Sequence, residues 1–133
     1  MSDVEQDFAD EVADLHQFFE DWFRGTGGRS INDFADRLDA GFVIVNPGGH
    51  RLSREQIISV VEARAGGYDT AITTTHATLA MSEPVLIGTY REHQEFKGET
   101  THLVATVAMV ADTSTPTGYR WLSVHETWFE DQT

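Results

Sequence analysis

A chain of 133 residues without cysteine has the length of one domain, large enough to bury a core unaided, and thiolate or disulfide chemistry is excluded. With 22 acidic against 9 basic residues the net charge is -13, which opposes docking on nucleic acid or on an anionic membrane surface. No apolar run nears the roughly 20 residues of a bilayer span, and the amino terminus has neither a basic leader nor a hydrophobic signal core, so a cytoplasmic location is expected.

The first predicted element is an acidic amphipathic helix over about Ser2 to Arg24. Phe8, Val12, Leu15, Phe19 and Trp22 recur at spacings of four and three and make one apolar stripe, while acids such as Glu5, Glu11, Asp14 and Glu20 fill the rest of its surface. A solvated face is the plain meaning of those charges; a partner-binding face is the alternative. Gly25 ends the helix. Ser30 with Asp33 has the spacing of a capping box, opening a second helix with Ile31, Phe34, Ala35 and Leu38 inward and Gly41 at its end. Phe42 to Val45 is a short apolar strand stopped by Asn46-Pro-Gly-Gly49. Ser53 with Gln56 repeats the capping spacing and opens a third helix burying Ile57, Val60, Val61 and the stem of Arg64.

The second half, Ile72 to Phe129, reads as four long strands. Ala71 to Met81 is rich in β-branched residues and closes at Ser82-Glu83-Pro84; Val85 to Phe96 alternates until Lys97-Gly98; Thr100 to Ala111 and Tyr119 to Phe129 follow, separated by the loop from Asp112 to Gly118. Connections this short force an antiparallel meander, and strands of this length favour a twisted, curved sheet. Helices placed before an antiparallel sheet define an α+β architecture, here one domain over 1–133.

This order resembles the nuclear-transport-factor-2-like superfamily, in particular its SnoaL-like and kinase-association-domain-like branch. Phe42-Val-Ile-Val-Asn-Pro-Gly-Gly-His-Arg-Leu-Ser-Arg-Glu55 looks like that branch's strand, turn and helix start, and Trp121-Leu-Ser-Val-His-Glu-Thr-Trp128 looks like its last strand. The resemblance covers nearly the whole chain and specifies fold better than chemistry. It implies a cone-shaped curved antiparallel sheet with three N-terminal helices over its concave face, a deep apolar pocket, and dimerisation through the outer face. Functions in the superfamily range from isomerases and dehydratases to binding and assembly modules.

Alternation then assigns side chains to faces. On the last strand Leu122, Val124, Glu126 and Trp128 are expected inward, with Trp121, Ser123, His125, Thr127 and Phe129 outward. Leu103, Ala105, Val107 and Met109 are expected inward on the preceding strand. The resemblance favours Leu86, Gly88, Tyr90 and Glu92 inward on the strand before that. A one-residue slip reverses every such assignment. The expected pocket wall is Trp22, Val45, Arg64, His76, Leu103, Val107, Val124 and Trp128.

Two groups on that face carry chemical potential. A carboxyl at Glu126 walled by apolar groups has its charged form disfavoured, so it can act as acid or base near neutral pH, and the Tyr90 hydroxyl can donate to a developing oxyanion. Together they suit a cofactor-free isomerase or dehydratase acting on a small apolar carbonyl compound. The plainer alternative stays open: Glu126 solvated or paired with Arg64 or Arg120, and Tyr90 a core ring. His16, His50, His76, His93, His102 and His125 are scattered without metal-ligand spacing, and no metal or cofactor is expected. His50 and His76 are candidates for the pocket rim. Relatives in the association-domain branch carry arginines where this chain aligns Gly88, Val107 and Trp128, which disfavours anionic ligands. On the outer face Trp121, His125, Phe129 and His102 make a surface too apolar to leave in water, so a homodimer is expected.

Overall fold

The structure, a computed structural model, describes residues 3–130. Helix α1 spans Val4–Arg24; Ser2, expected at its start, lies outside the described residues. The Asp3 carboxylate accepts from the Glu5 and Gln6 amides at 3.0 and 3.3 Å, satisfying two amides of the first turn, and Gly25 closes the helix at φ 77°.

Helix α2 is a single turn, Asn32–Ala35, shorter than its capping signal predicts. Ser30 Oγ does accept from the Asn32 amide at 3.2 Å, and the Asp33 carboxylate from the Ser30 amide at 3.3 Å. The helix stops because Arg37 turns into the protein, its Nε donating to the Asp33 carbonyl at 2.8 Å, and the chain leaves extended. Leu38 and Gly41, expected at the end of that helix, therefore belong to strand β1, Leu38–Val45. Strand β2, Arg51–Ser53, folds back on β1, and α3, Arg54–Glu62, starts from a capping box in which the Ser53 and Gln56 side chains each accept the other's amide.

Strands β3 (Thr70–Met81), β4 (Leu86–Phe96), β5 (Glu99–Ala111) and β6 (Tyr119–Trp128) form the expected antiparallel meander. The sheet as a whole is mixed and open, in the order β2-β1-β6-β5-β4-β3, because β1 runs parallel to β6. The long connection from β1 to β6 permits that parallel pairing, which a tight turn could not. The purely antiparallel sheet expected from the chain's second half is corrected by this one pairing.

The ladder also corrects the last strand. Val107 pairs with Val124 and Ala108 with Ser123, but Met109 pairs with Trp121, so Leu122 is an extra residue in β6. This bulge shifts the alternation by one from that point toward the start of the strand. Trp121, expected on the outer face, is instead 1% exposed in the core, and Leu122 is half-buried outside it. The Trp121 indole donates to Glu11 Oε2 at 2.8 Å, which explains why Glu11, expected among the solvated acids, is also buried. Arg37 Nη1 lies 3.6 Å from the same carboxylate and Arg37 Nη2 2.6 Å from Asp14.

The core lies between α1 and the sheet face that carries Leu86, Tyr90, Leu103, Ala105, Val107, Met109, Trp121 and Val124. Gly88 admits the helix: a Cβ there would meet Phe8 Cζ and the Thr78 carbonyl oxygen, both at 2.7 Å. Acids of α1 also reach the edge strand. Glu5 accepts from the Leu79 amide at 3.0 Å and Glu20 from the Ile72 amide at 2.9 Å, covering donors that an open edge would expose. No helix among the described residues is long and apolar enough to cross a membrane.

Candidate functional site

A cavity of about 210 Å³ lies between the helices and the sheet. The helices wall it with Leu15, His16, Phe19 and Phe23 from α1, Phe34 from α2, and Ile57, Val60 and Val61 from α3, with Arg64 just beyond. The sheet supplies Leu38, Phe42 and Ile44 from β1, Ile72 from β3, Tyr90, Glu92 and Gln94 from β4, and Trp121, Val124 and Glu126 from β6. Trp22 fastens the two long helices across this space, its indole donating to the Val61 carbonyl at 2.7 Å.

The polar end arises from strand register. Tyr90 pairs with Ala105, and Ala105 pairs with Glu126, so the three form one row across β4, β5 and β6 on the covered face. Two strand spacings separate the outer members, about 10 Å between their backbones. Ala105 between them is fully buried, and the tyrosine and glutamate side chains both line the cavity.

Beside that row is a buried ion pair. His16 Nε2 lies 2.7 Å from Glu92 Oε1 and His16 Nδ1 donates to the Val12 carbonyl at 2.7 Å; the side chains are 4% and 6% exposed. Gln94 Nε2 donates to the other Glu92 oxygen. Burial alone would discharge both groups, lowering the histidine and raising the glutamate, but each partner's charge and hydrogen bond outweighs it. His16 is held above its ordinary value and Glu92 below its own. The His16 ring also meets Tyr90 edge-on at 5.2 Å between centroids.

Glu126 differs. Burial, then the charge of Glu92, push its carboxyl up to about 7 against the lowering pull of His16. Arg120, one expected partner, pairs instead with Asp39 and Asp112, each at 3.2 Å, and among the described residues no ion pair reaches Glu126. Tyr90 is held well above its ordinary value by burial, then by the charges of Glu92 and Glu126, so its hydroxyl keeps its proton. One carboxyl that titrates near neutrality beside one hydroxyl that does not can move a proton and donate a hydrogen bond.

Of the expected pocket residues, Arg64 and Val124 line the cavity together with Glu126 and Tyr90. Leu103 and Val107 are buried in the core beneath it. Trp22 stacks on Phe18 behind the wall, and the neighbour of Val45, Ile44, reaches the cavity in its place. Trp128 is 54% exposed at the end of β6. His76 is exposed on a bulge in β3 at φ 57°, bonded to Thr75 Oγ1 at 2.8 Å, and His50 is exposed in the turn after β1. His93 and His102 meet Nδ1 to Nδ1 at 2.7 Å on the opposite side of the sheet from the cavity, and Arg91 lies over the Phe129 ring at 5.1 Å. No group of three or more potential metal ligands occurs among the described residues.

Sequence reasoning passed over His16, Glu92 and Gln94 as site residues. The signal for His16 was its position four residues after Val12, a titratable ring within an apolar stripe. Glu92 was placed on the correct face, but nothing in the chain shows that α1 brings a histidine to it.

A mixed sheet covered by helices before the meander, with a cavity between them, defines the class: the chain has the nuclear-transport-factor-2-like fold. A solved NTF2-like protein of unknown function from Pseudomonas aeruginosa matches with a TM-score of 0.85 and 20% identity over 93% of this chain and 99% of that one. A candidate dehydratase of the NTF2-like family from Streptomyces avermitilis matches with a TM-score of 0.67 and 19% identity, covering 92% and 95% of the two chains. The CaMKII hub of S. rosetta matches at 0.63 and 15%, covering 72% and 79%. No protein-family model matches the sequence, and no curated protein matches it.

Proposed function

We propose that this protein binds a small, mainly apolar molecule in the cavity between α1, α3 and the sheet. The observation that carries the reading is the contrast between wall and end: aromatic and aliphatic side chains form most of the lining, and at one end the half-buried Glu126 carboxyl shares the space with the His16 and Glu92 pair and makes no ion pair of its own among the described residues. A cavity of about 150 Å³ holds benzene, so 210 Å³ suits a one-ring compound and is small for a fused polycycle. The experiment is a nuclear magnetic resonance screen of one-ring neutral compounds against labelled protein. Shifts gathered at Phe19, Ile57, Val61 and Val124 support the reading; no shifts there, or shifts confined to another face, reject it.

The second reading is cofactor-free isomerisation or dehydration, with Glu126 moving the proton and Tyr90 donating to the oxygen that gains charge. The elevated carboxyl of Glu126 in the same row as Tyr90 favours it, as does the likeness in fold to a candidate dehydratase. Loss of all turnover in Glu126→Gln, with binding kept, is its expected signature.

On the outer sheet face the partner in this reading is a second copy of the chain, seated over His102, His125 and Phe129. Trp121 has no part in that surface because it is buried. Sedimentation at micromolar concentration is expected to give a dimer, and a monomer there removes this element. An assembly role without a ligand, in the manner of a hub, takes over if the cavity proves inert.

A further inference from the structure

The charges around the cavity select among apolar ligands, and this step rests on the cavity being a binding site. His16 and Glu92 pair at 2.7 Å with opposite charges, which leaves Glu126 as the acid of the polar end outside that pair. Every element facing Glu126 is accounted for. α1 presents His16, β4 presents Glu92 and Tyr90, and the segment after α3 presents Arg64, which is solvent-exposed; α2, α3, β1 and β3 line the space with apolar groups. Water screens a charge at the rim far more than one inside.

Burial and Glu92 both oppose the ionised form of Glu126 against the weaker pull of His16, and among the described residues no ion pair reaches it. A cation arriving from outside would favour the ionised form. Six rings, those of Phe19, Phe23, Phe34, Phe42, Tyr90 and Trp121, line the same space. Their faces attract a cation, and a net charge of -13 over the chain draws one in from solution.

We infer that the cavity takes a small organic ammonium: a protonated amine on an apolar body of one ring, with its nitrogen at Glu126 and its body against the phenylalanines. A primary or secondary amine donates directly to the carboxylate. Binding draws the carboxyl into its ionised form and, below neutral pH, releases its proton to solvent. Tyr90 remains available as a hydrogen-bond donor or acceptor to a second polar group.

The test compares three probes of nearly equal size, benzylammonium, benzyl alcohol and benzoate, by chemical-shift titration of the wild-type protein at pH 5 and pH 8. The expected result is benzylammonium at least tenfold tighter than benzyl alcohol at pH 8, with benzoate weakest, and benzylammonium affinity falling at pH 5 while that of benzyl alcohol stays level. Glu126→Gln should narrow the ratio of benzylammonium to benzyl alcohol affinity at pH 8 to near one. Benzyl alcohol or benzoate binding as tightly as benzylammonium at pH 8 overturns the ammonium assignment and leaves the cavity reading intact. Binding of none of the three overturns both. The wild-type comparison across pH decides the question if the variant fails to fold.

Discussion

His16 and Glu92, 76 positions apart in the chain, meet at 2.7 Å where α1 crosses β4, and both are almost sealed from solvent. A helix histidine and a strand glutamate thereby become one buried ion pair, braced by the Val12 carbonyl on one side and Gln94 on the other. Removing either partner strands the other charge in the core, a loss of about 3–5 kcal/mol in buried pairs. His16→Leu and Glu92→Leu are each expected to fall in that range by urea unfolding at pH 6, and the double variant to lose much less than their sum. Single losses under about 1 kcal/mol contradict the pairing.

The pH limits of that pair follow from its shifts. His16 is raised, so its share of stability is present below the ordinary histidine value of 6.5 and is lost as pH rises through its folded value. Glu92 is lowered, so its share is present above the ordinary value of 4.5 and is lost as pH falls through its folded value. The pair contributes fully between those ordinary values. In the double variant the stability profile should flatten on both sides of that window, whereas in each single variant burial favours the neutral form of the remaining partner and works against its original slope.

Glu126 acts in the opposite sense to Glu92. Its carboxyl is raised from 4.5 to about 7, so its contribution is present below pH 4.5 and is lost as pH rises through 7. A shift of that size corresponds to roughly 3 kcal/mol as an upper figure. Glu126→Gln removes the penalty and should stabilise the empty protein at pH 8 relative to pH 5, read as a difference in urea midpoints. A variant equally or less stable than wild type at pH 8 contradicts the account.

Gly88 is held open for Phe8. Gly88→Ala places a carbon where the Phe8 ring and the Thr78 carbonyl already stand, both at 2.7 Å, and one of those contacts is rigid backbone. Overpacking of this kind costs about 1–3 kcal/mol. Thermal unfolding is the measure, and Phe8→Leu in the same chain should recover part of the loss.

Trp121 belongs to the core and to Glu11. Trp121→Phe keeps most of the ring but leaves the buried Glu11 carboxyl without its 2.8 Å donor, with an expected loss of about 1–3 kcal/mol. The oligomeric state should not change. A variant of unchanged stability but altered assembly would return Trp121 to the surface.

The contrast between Trp121 and Trp128 shows where the amino-acid pattern is readable and where it is not. Strands β3 to β6 and their antiparallel order follow from alternation and turn residues, because those signals are local, whereas alternation leaves two choices of inward set on β4 and the resemblance decides for Leu86 to Glu92. The extra residue at Leu122 leaves no local mark, since each side of the bulge alternates normally, yet it sends Trp121 inward and breaks the expected inner set at Leu122. The parallel pairing of β1 and the burial of Glu11 and His16 depend on partners far along the chain. Glu126 and Tyr90 are expected on the covered face, and the ladder adds that both flank Ala105 in one row.

The central claim is that Glu126 stands in a mainly apolar cavity and makes no ion pair there among the described residues. A carbon-13 titration of its side-chain carboxyl measures that directly in the empty protein. The account predicts a midpoint about 7, moving down when Glu92 is replaced by Gln. A midpoint near the ordinary 4.5, unaffected by that replacement, would mean a solvated or paired carboxyl and would contradict it.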